Sequence, residues 1–223
     1  MAKFYAVRCG RKTGVFTSWD ECKAQVSGFS DAVFKSFKNL QDAEDYVNNV
    51  PDDPESAIVE NQDGKPYAFV DGSFNDSTGE YGFGGFLFDG NYYHIIRGRG
   101  YDKEMLEMRN VAGEIQCVIE SIKKANSLGL TSLTIYYDYD GIRAWVDGTW
   151  KAKKTGTIKY TEFIKKQEMK IDFIHVNAHT GVVGNEYADV LAKSAIGINL
   201  TRTQKQLYSD VIKLCESSKQ QKL

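Results

Sequence analysis

Two apolar runs in this chain lead straight into an aspartate, and that repetition limits the fold more than any other feature. Tyr67-Ala68-Phe69-Val70 runs into Asp71, and Leu133-Thr134-Ile135-Tyr136-Tyr137 runs into Asp138. Both runs are short, apolar and rich in β-branched and aromatic residues, so they read as buried strands. A carboxylate closing a core strand is costly if it is buried without a partner. One such aspartate is explained as the cap of a loop or neighbouring helix at the sheet edge. That explanation weakens for two, because Glu114 lies within an apolar helical stretch and Asp189 sits early in the last helical segment. Four carboxylates at one sheet edge would repel one another. Divalent cations relieve such repulsion, and oxygen ligands suit Mg²⁺ or Mn²⁺. Spacing by itself leaves open whether the four side chains meet.

The rest of the second half of the chain supports a layered domain. Tyr81 to Phe88 and Tyr92 to Arg97 read as strands joined by the turn Asp89-Gly90-Asn91. Residues 104 to 126 carry helical spacing through Met105, Met108, Ala112, Ile115, Ile119 and Ile122. Residues 140 to 148 and 157 to 169 also read as helices, Ile171 to Val176 as a strand and Glu186 to Ile196 as a helix. The order βββαβααβα predicts an α/β domain with a mixed sheet. Near the N-terminus, Phe4 to Val7 and Gly14 to Phe16 read as short strands, and Ser18 with Glu21 as a capping box starting a helix. A second short helix follows Asn39. The chain therefore divides into a small unit at 1–47, a flexible acidic linker at 48–65, a main domain at 66–197 and a polar tail at 198–223. The tail has one weak amphipathic segment, Leu207, Val211 and Leu214, which reads as a loosely docked helix or a disordered stretch.

A formal net charge of -2 over 223 residues argues, taken alone, against a nucleic-acid binder. The distribution argues otherwise. Lys3, Arg8, Arg11, Lys12, Lys23, Lys35 and Lys38 make the first forty residues basic, and Lys151, Lys153, Lys154, Lys159, Lys165 and Lys166 form a second basic stretch. Local patches on a near-neutral protein suit nucleic acid. Cys9, Cys22, Cys117 and Cys215 form no CxxC pair and suggest neither a disulfide framework nor a zinc site. No apolar leader or membrane-length window is present, so the expectation is a soluble intracellular protein, cytoplasmic if bacterial.

Read as ordered motifs, Val70-Asp71-Gly72-Ser73, Arg109-Asn110-Val111-Ala112-Gly113-Glu114, Tyr137-Asp138, His179-Thr180-Gly181 and Asn185-Glu186-Tyr187-Ala188-Asp189 resemble the type 1 ribonuclease H family across residues 66 to 197. The segments Phe4-Tyr5-Ala6-Val7-Arg8, Gly10-Arg11-Lys12-Thr13-Gly14-Val15-Phe16, Trp19, Cys22, Ala24-Gln25-Val26 and Phe34-Lys35-Ser36-Phe37 resemble the hybrid-binding, viroplasmin-like domain found in many cellular members. The resemblance implies a ribonuclease H-like fold with a five-stranded mixed sheet, preceded by a small α/β domain. It also implies an endonuclease that cuts the RNA strand of RNA·DNA hybrids, leaving 5′-phosphate and 3′-hydroxyl ends. A non-catalytic hybrid- or double-stranded-RNA-binding protein, and an integrase-like enzyme on the same fold, are the alternatives. The first need not retain all four acids, and the second would act on pure DNA.

By the same resemblance, Asp71, Glu114, Asp138 and Asp189 would hold two Mg²⁺ ions, with Mn²⁺ as a substitute, and Asp71 would bridge both. His179 would assist proton transfer or product release; its loop reads Asn177-Ala178 where many relatives have Lys-Gly. Asn110, with Gly72 and Ser73, would contact the RNA strand and its 2′-hydroxyls. Trp145, Trp150, Lys151 and Thr157 would grip the DNA strand. Tyr5, Trp19 and Phe34 would lay their rings against DNA while Lys35 meets a phosphate. For Tyr5 and Trp145 a place in the hydrophobic core is the competing reading. The expected partner is an RNA·DNA hybrid, with weaker binding of double-stranded RNA through the N-terminal unit, no membrane, and a monomeric chain.

Overall fold

Short strands and a well-capped helix build the first part of the chain. In the computed structural model the described residues are 3–29, 32–48, 64–176 and 182–220. They fall into two compact units, residues 1–53 with 201–203 and residues 54–200 with 204–223. In the first unit β1 (Phe4–Cys9) lies between β2 (Gly14–Phe16) and β3 (Val33–Phe37), both antiparallel to it. The capping box forms: the Ser18 hydroxyl accepts from the Glu21 amide at 3.2 Å, and the Glu21 carboxylate accepts from the Ser18 amide at 3.2 Å, opening α1 (Trp19–Val26). At the other end of α1 the Arg11 guanidinium donates to the Ala24 carbonyl at 3.1 Å and the Ser27 carbonyl at 2.7 Å. These bonds satisfy carbonyls that a helix end leaves open. The second helix, α2 (Leu40–Asn48), begins where Asn39 accepts from the Asp42 amide at 2.7 Å. Apart from its ends, the expected linker at 48–65 lies outside the described residues.

The second unit is built on a five-stranded sheet in the order β6-β5-β4-β7-β8. Its strands are β4 (Tyr67–Asn75), β5 (Glu80–Phe88), β6 (Tyr93–Gly100), β7 (Ser132–Tyr137) and β8 (Lys170–His175). The β4–β7 and β7–β8 pairs are parallel and the others antiparallel, so the sheet is mixed. Its helices are α3 (Lys103–Leu106), α4 (Asn110–Ser127), α5 (Gly141–Ala144), α6 (Thr155–Lys165), α7 (Val183–Ala195) and α8 (Arg202–Gln220). Strand alternation sorts the core. Ala68 and Val70 pack with Ala112, Ile115, Val118 and Ile122 of α4 on one face. Tyr67 and Phe69 pack with Tyr187 and Leu191 of α7 and Val211 and Leu214 of α8 on the other. Asp89 closes the β5–β6 hairpin by accepting from the Asn91 and Tyr92 amides, both at 2.8 Å, while Gly90 takes φ 101°. Among the described residues no helix is long and apolar enough to cross a membrane.

Several boundaries differ from the expected ones: the helix expected at 140–148 is only the short α5, the one expected at 157–169 is α6, Thr155–Lys165, and four further differences bear on the site or the core. β4 does not stop at Asp71. Its antiparallel ladder with β5 continues to Asn75, while its parallel ladder with β7 ends at Phe69 paired with Tyr136. Asp71 therefore sits where one neighbour has ended and the other continues. The single helix expected at 104–126 is broken at Arg109, which has φ 56° and ψ -125°, an uncommon conformation for a residue with a Cβ. The break lets Met105 and Met108 close on Gly156, where an added Cβ would fall 2.4 Å from both side chains. The last helix of the expected set begins a turn early, at Val183, which brings Asn185 into it. The C-terminal segment is a 19-residue helix with Val211, Leu214 and Cys215 buried. It is fixed further by Arg97, whose guanidinium donates to the Tyr208 hydroxyl, and by Ser218, which accepts from the Tyr93 amide at 3.1 Å. Because that burial is substantial, Leu214→Ala is expected to lower unfolding free energy by about 2–3 kcal/mol, read as a lower urea midpoint at unchanged slope.

Candidate active site

Glycines set the approach of the carboxylates. A Cβ on Gly72 would fall 2.1 Å from the Asn110 carbonyl and 2.2 Å from the Glu114 amide, and one on Gly113 would fall 2.0 Å from the Gly82 carbonyl. The first turn of α4 therefore rests directly on the backbone of β4 and β5, and Glu114 comes in beside Asp71. On the opposite face, a Cβ on Gly84 would fall 1.9 Å from the Ala192 amide, so α7 is seated equally closely and carries Asp189 with it. Asp138 follows the last residue of β7.

The four acids form one electrostatic group. Burial pushes Asp71 well above the ordinary aspartate range; the charges of Asp138 and Asp189 push it further, against the Gly72 amide and the Lys193 ammonium. Glu114 is 2% exposed and is likewise driven well above its ordinary range by burial, then by Asp71 and Asp138, against the Tyr139 and Asp138 amides. Each carboxylate has a local partner. Asp71 accepts from the Gly72 amide at 2.6 Å, Glu114 from the Tyr139 amide at 3.3 Å, and Asp138 from the Asn185 side-chain amide at 3.0 Å. Asp189 pairs with Lys193 at 2.7 Å. Among the described residues no three His, Cys, Asp or Glu side chains stand close enough to hold a metal ion as they are placed. The donor chemistry nevertheless fits a hard divalent cation: every candidate ligand is an oxygen, and the group carries an excess of negative charge in a partly desolvated place.

The candidate contact residues are distributed as follows. Asn110 is exposed at the start of α4, beside Gly72, while Ser73 is 8% exposed. Trp145 is partly buried against the core and Trp150 is exposed. Their ring centroids are 6.0 Å apart, and Tyr139 lies 5.8 Å from the first and 6.1 Å from the second. Tyr139, Trp145, Thr157, Lys151, Lys153 and Lys154 line a cavity of about 300 Å³. Thr157 is buried, and its hydroxyl donates to the Lys154 carbonyl at 2.8 Å, so it shapes that cavity with its donor already engaged. His179 lies outside the described residues.

In the first unit, Trp19 is centred 5.7 Å from Tyr5 and 5.8 Å from Phe34, making a row of three rings with Trp19 and Phe34 exposed. Tyr5 also packs on the small core of Val7, Cys22 and Val26, so both readings of that residue meet in one side chain. Lys35 is not gathered with the row. It follows Phe34 in β3, and strand alternation sends it to the other face, where its ammonium stands 5.4 Å from the Phe37 ring.

Three neighbours of the acids were given no role from the sequence, although Asn185 opens the motif that carries Asp189. Asn185 and Lys193 stand four residues before and after Asp189, a spacing that puts all three on one face of α7. His175 Nε2 lies 3.0 Å from the Asp138 carbonyl, at the end of a strand that showed only its apolar pattern.

Residues 64–197 match the family model described as RNase H, and residues 3–47 match the model described as Ribonuclease H1 N-terminal domain. The chain is 28% identical over 252 residues to Ribonuclease H1 of Homo sapiens, covering 85% of this chain and 88% of that protein. It is 29% identical over 260 residues to Ribonuclease H1 of Rattus norvegicus, covering 86% and 89%. The crystal structure of RNase H1 from the halophilic archaeon Halobacterium salinarum NRC-1 aligns at a TM-score of 0.46 and 20% identity, covering 59% of this chain and 96% of that one.

Proposed function

The chain belongs to the ribonuclease H family, and from that premise we propose that it hydrolyses the RNA strand of RNA·DNA hybrids, leaving 5′-phosphate and 3′-hydroxyl ends. The observation that supports this reading best is that Asp71 feels the charges of Asp138 and Asp189, and Glu114 those of Asp71 and Asp138, although the four come from β4, α4, the end of β7 and α7. Mg²⁺ ions held by these four residues, two in the proposed arrangement and replaceable by Mn²⁺, would supply activation of water and neutralisation of charge at phosphorus.

The remaining work falls to the chain itself. Asn110 has a donor and an acceptor exposed at the start of α4 and is assigned the RNA 2′-hydroxyl, the group that separates RNA from DNA. Trp145, Trp150 and Lys151 border a concave basic surface suited to a sugar-phosphate backbone. Because the acids repel phosphate, that basic surface and the aromatic row of the first unit must supply the affinity. The N-terminal unit is assigned the hybrid duplex, with double-stranded RNA bound more weakly.

The reading is tested by incubating the full chain with end-labelled RNA·DNA, double-stranded RNA and double-stranded DNA, with Mg²⁺ and with EDTA. Cleavage of the hybrid alone, dependent on Mg²⁺ and yielding ligatable 5′-phosphate ends, is expected. Hybrid binding with no cleavage, or cleavage of pure DNA, would overturn it. In the first unit, Trp19→Ala is expected to raise KM for long hybrids about 10-fold, since stacking on one aromatic ring is worth about 1–3 kcal/mol. An unchanged KM would remove that row from the binding surface.

A further inference from the structure

We infer that Asn185 is a positioning residue that sets the orientation of the Asp138 carboxylate for cation binding. The inference rests on the proposed metal-dependent reading of the four acids and names a further residue in it. Asn185 lies in the first turn of α7, is 5% exposed, and donates its side-chain amide to Asp138 Oδ2 at 3.0 Å. Because a carboxylate accepts and does not donate, the amide nitrogen must face Asp138 and the amide oxygen must face away. That oxygen is buried and has no hydrogen-bond partner among the described residues.

An amide with one end spent on a carboxylate and the other buried with no partner among the described residues is a poor choice for packing alone. Alanine or leucine would fill the same place without the desolvation cost. The position also matters. Asn185 stands one helical turn before Asp189, and Lys193, which pairs with Asp189 at 2.7 Å, stands one turn after it. One face of α7 thus holds two of the four acids from outside, Asp138 by a neutral donor and Asp189 by a cation. The backbone of the Asp138 segment is already fixed, because its carbonyl faces His175 Nε2 at 3.0 Å and the next amide, that of Tyr139, donates to Glu114. The side-chain torsion is the freedom that remains, and Asn185 is the group that restrains it. Partners of this kind usually change metal affinity about 10- to 100-fold when removed.

The test is a double-mutant cycle on the full chain, with Mn²⁺ affinity read by electron paramagnetic resonance in the absence of nucleic acid. Asn185→Ala is expected to weaken Mn²⁺ binding at least about 10-fold and to lower kcat on the hybrid with KM for the hybrid unchanged. In an Asp138→Ala background the same substitution should cause no further loss of Mn²⁺ affinity, because the residue it acts through is gone. Equal losses in both backgrounds, or no loss in either, would overturn the inference. Should Asn185→Ala fail to fold, Asn185→Ser, which leaves a smaller void, carries the same cycle with the same criterion. If wild type binds no Mn²⁺, or Asp138→Ala leaves affinity unchanged, the metal-dependent reading itself fails. The two failures are therefore distinguishable.

Discussion

Asp71→Asn is expected to reduce turnover on an RNA·DNA hybrid by on the order of 10³-fold or more, the scale reached when a charge acting at the reacting centre is removed. Asparagine keeps the shape of the side chain and its acceptor for the Gly72 amide, which donates to Asp71 at 2.6 Å. What it removes is a negative charge that interacts with both Asp138 and Asp189. The site should bind a cation less well while the surfaces around Trp19 and Trp150 keep their hold on the duplex. Gel retardation of a labelled hybrid should therefore be close to that of wild type. Stability should move the other way. The folded protein keeps Asp71 among like charges in a desolvated place, so removing its charge relieves repulsion. In EDTA the variant should melt at a higher temperature than wild type. A wild-type rate in Mg²⁺ would sink the assignment of the site, and a lower melting temperature would show that Asp71 is held by more than its carboxylate neighbours.

Gly72→Ala carries the second large effect, and it acts without touching any charged group. The new methyl would meet the Asn110 carbonyl at 2.1 Å and the Glu114 amide at 2.2 Å. Both obstacles are backbone atoms of one helix, so no side-chain rotation gives relief. α4 must move away by roughly 1 Å, and overpacking of this kind costs about 1–3 kcal/mol or more. That shift carries Asn110 and Glu114 away from Asp71 together. A displacement of about 1 Å at reacting groups lowers rates on the order of 10²-fold. Urea unfolding and single-turnover cleavage should both register the change. A variant as stable and active as wild type would show that α4 does not need its close seat on β4.

The parts of the fold that repeat with a simple period were legible in the chain. The five strands showed as apolar runs, and the Asp89-Gly90-Asn91 turn was found where the β5–β6 hairpin closes. Ser18 and Glu21 marked the start of α1 because a capping box is written in four consecutive residues. What could not be read depended on contacts between distant segments. Nothing in the apolar pattern of residues 104–126 announces the break at Arg109, which accompanies the packing of Met105 and Met108 against Gly156. The C-terminal helix is polar on average, which hides its apolar stripe, and that stripe packs in one cluster with Phe86 and Tyr93 of the sheet. Within the site, acids in apolar surroundings were conspicuous, whereas Asn185 stood in the motif around Asp189 with nothing local to tie it to Asp138, 47 residues away. Lys35 stands apart from the aromatic row although it follows Phe34 in the chain. Adjacent residues in a strand point to opposite faces, so the pair leaves β3 on different sides, a separation that neighbouring letters in a sequence do not display.

The first unit has little in reserve. Among its described residues the buried apolar side chains are Ala6, Val7, Cys22, Val26 and Ala43, two of them alanine. A body with so small an interior holds its shape by a narrow margin, so occupancy and foldedness become a single linked equilibrium. A nucleic-acid duplex laid across Trp19 and Phe34 would hold the unit together as much as the unit holds the duplex. Without it, warming should loosen this end of the molecule first, and the observed grip on long substrates should fade at temperatures where the larger domain is still intact.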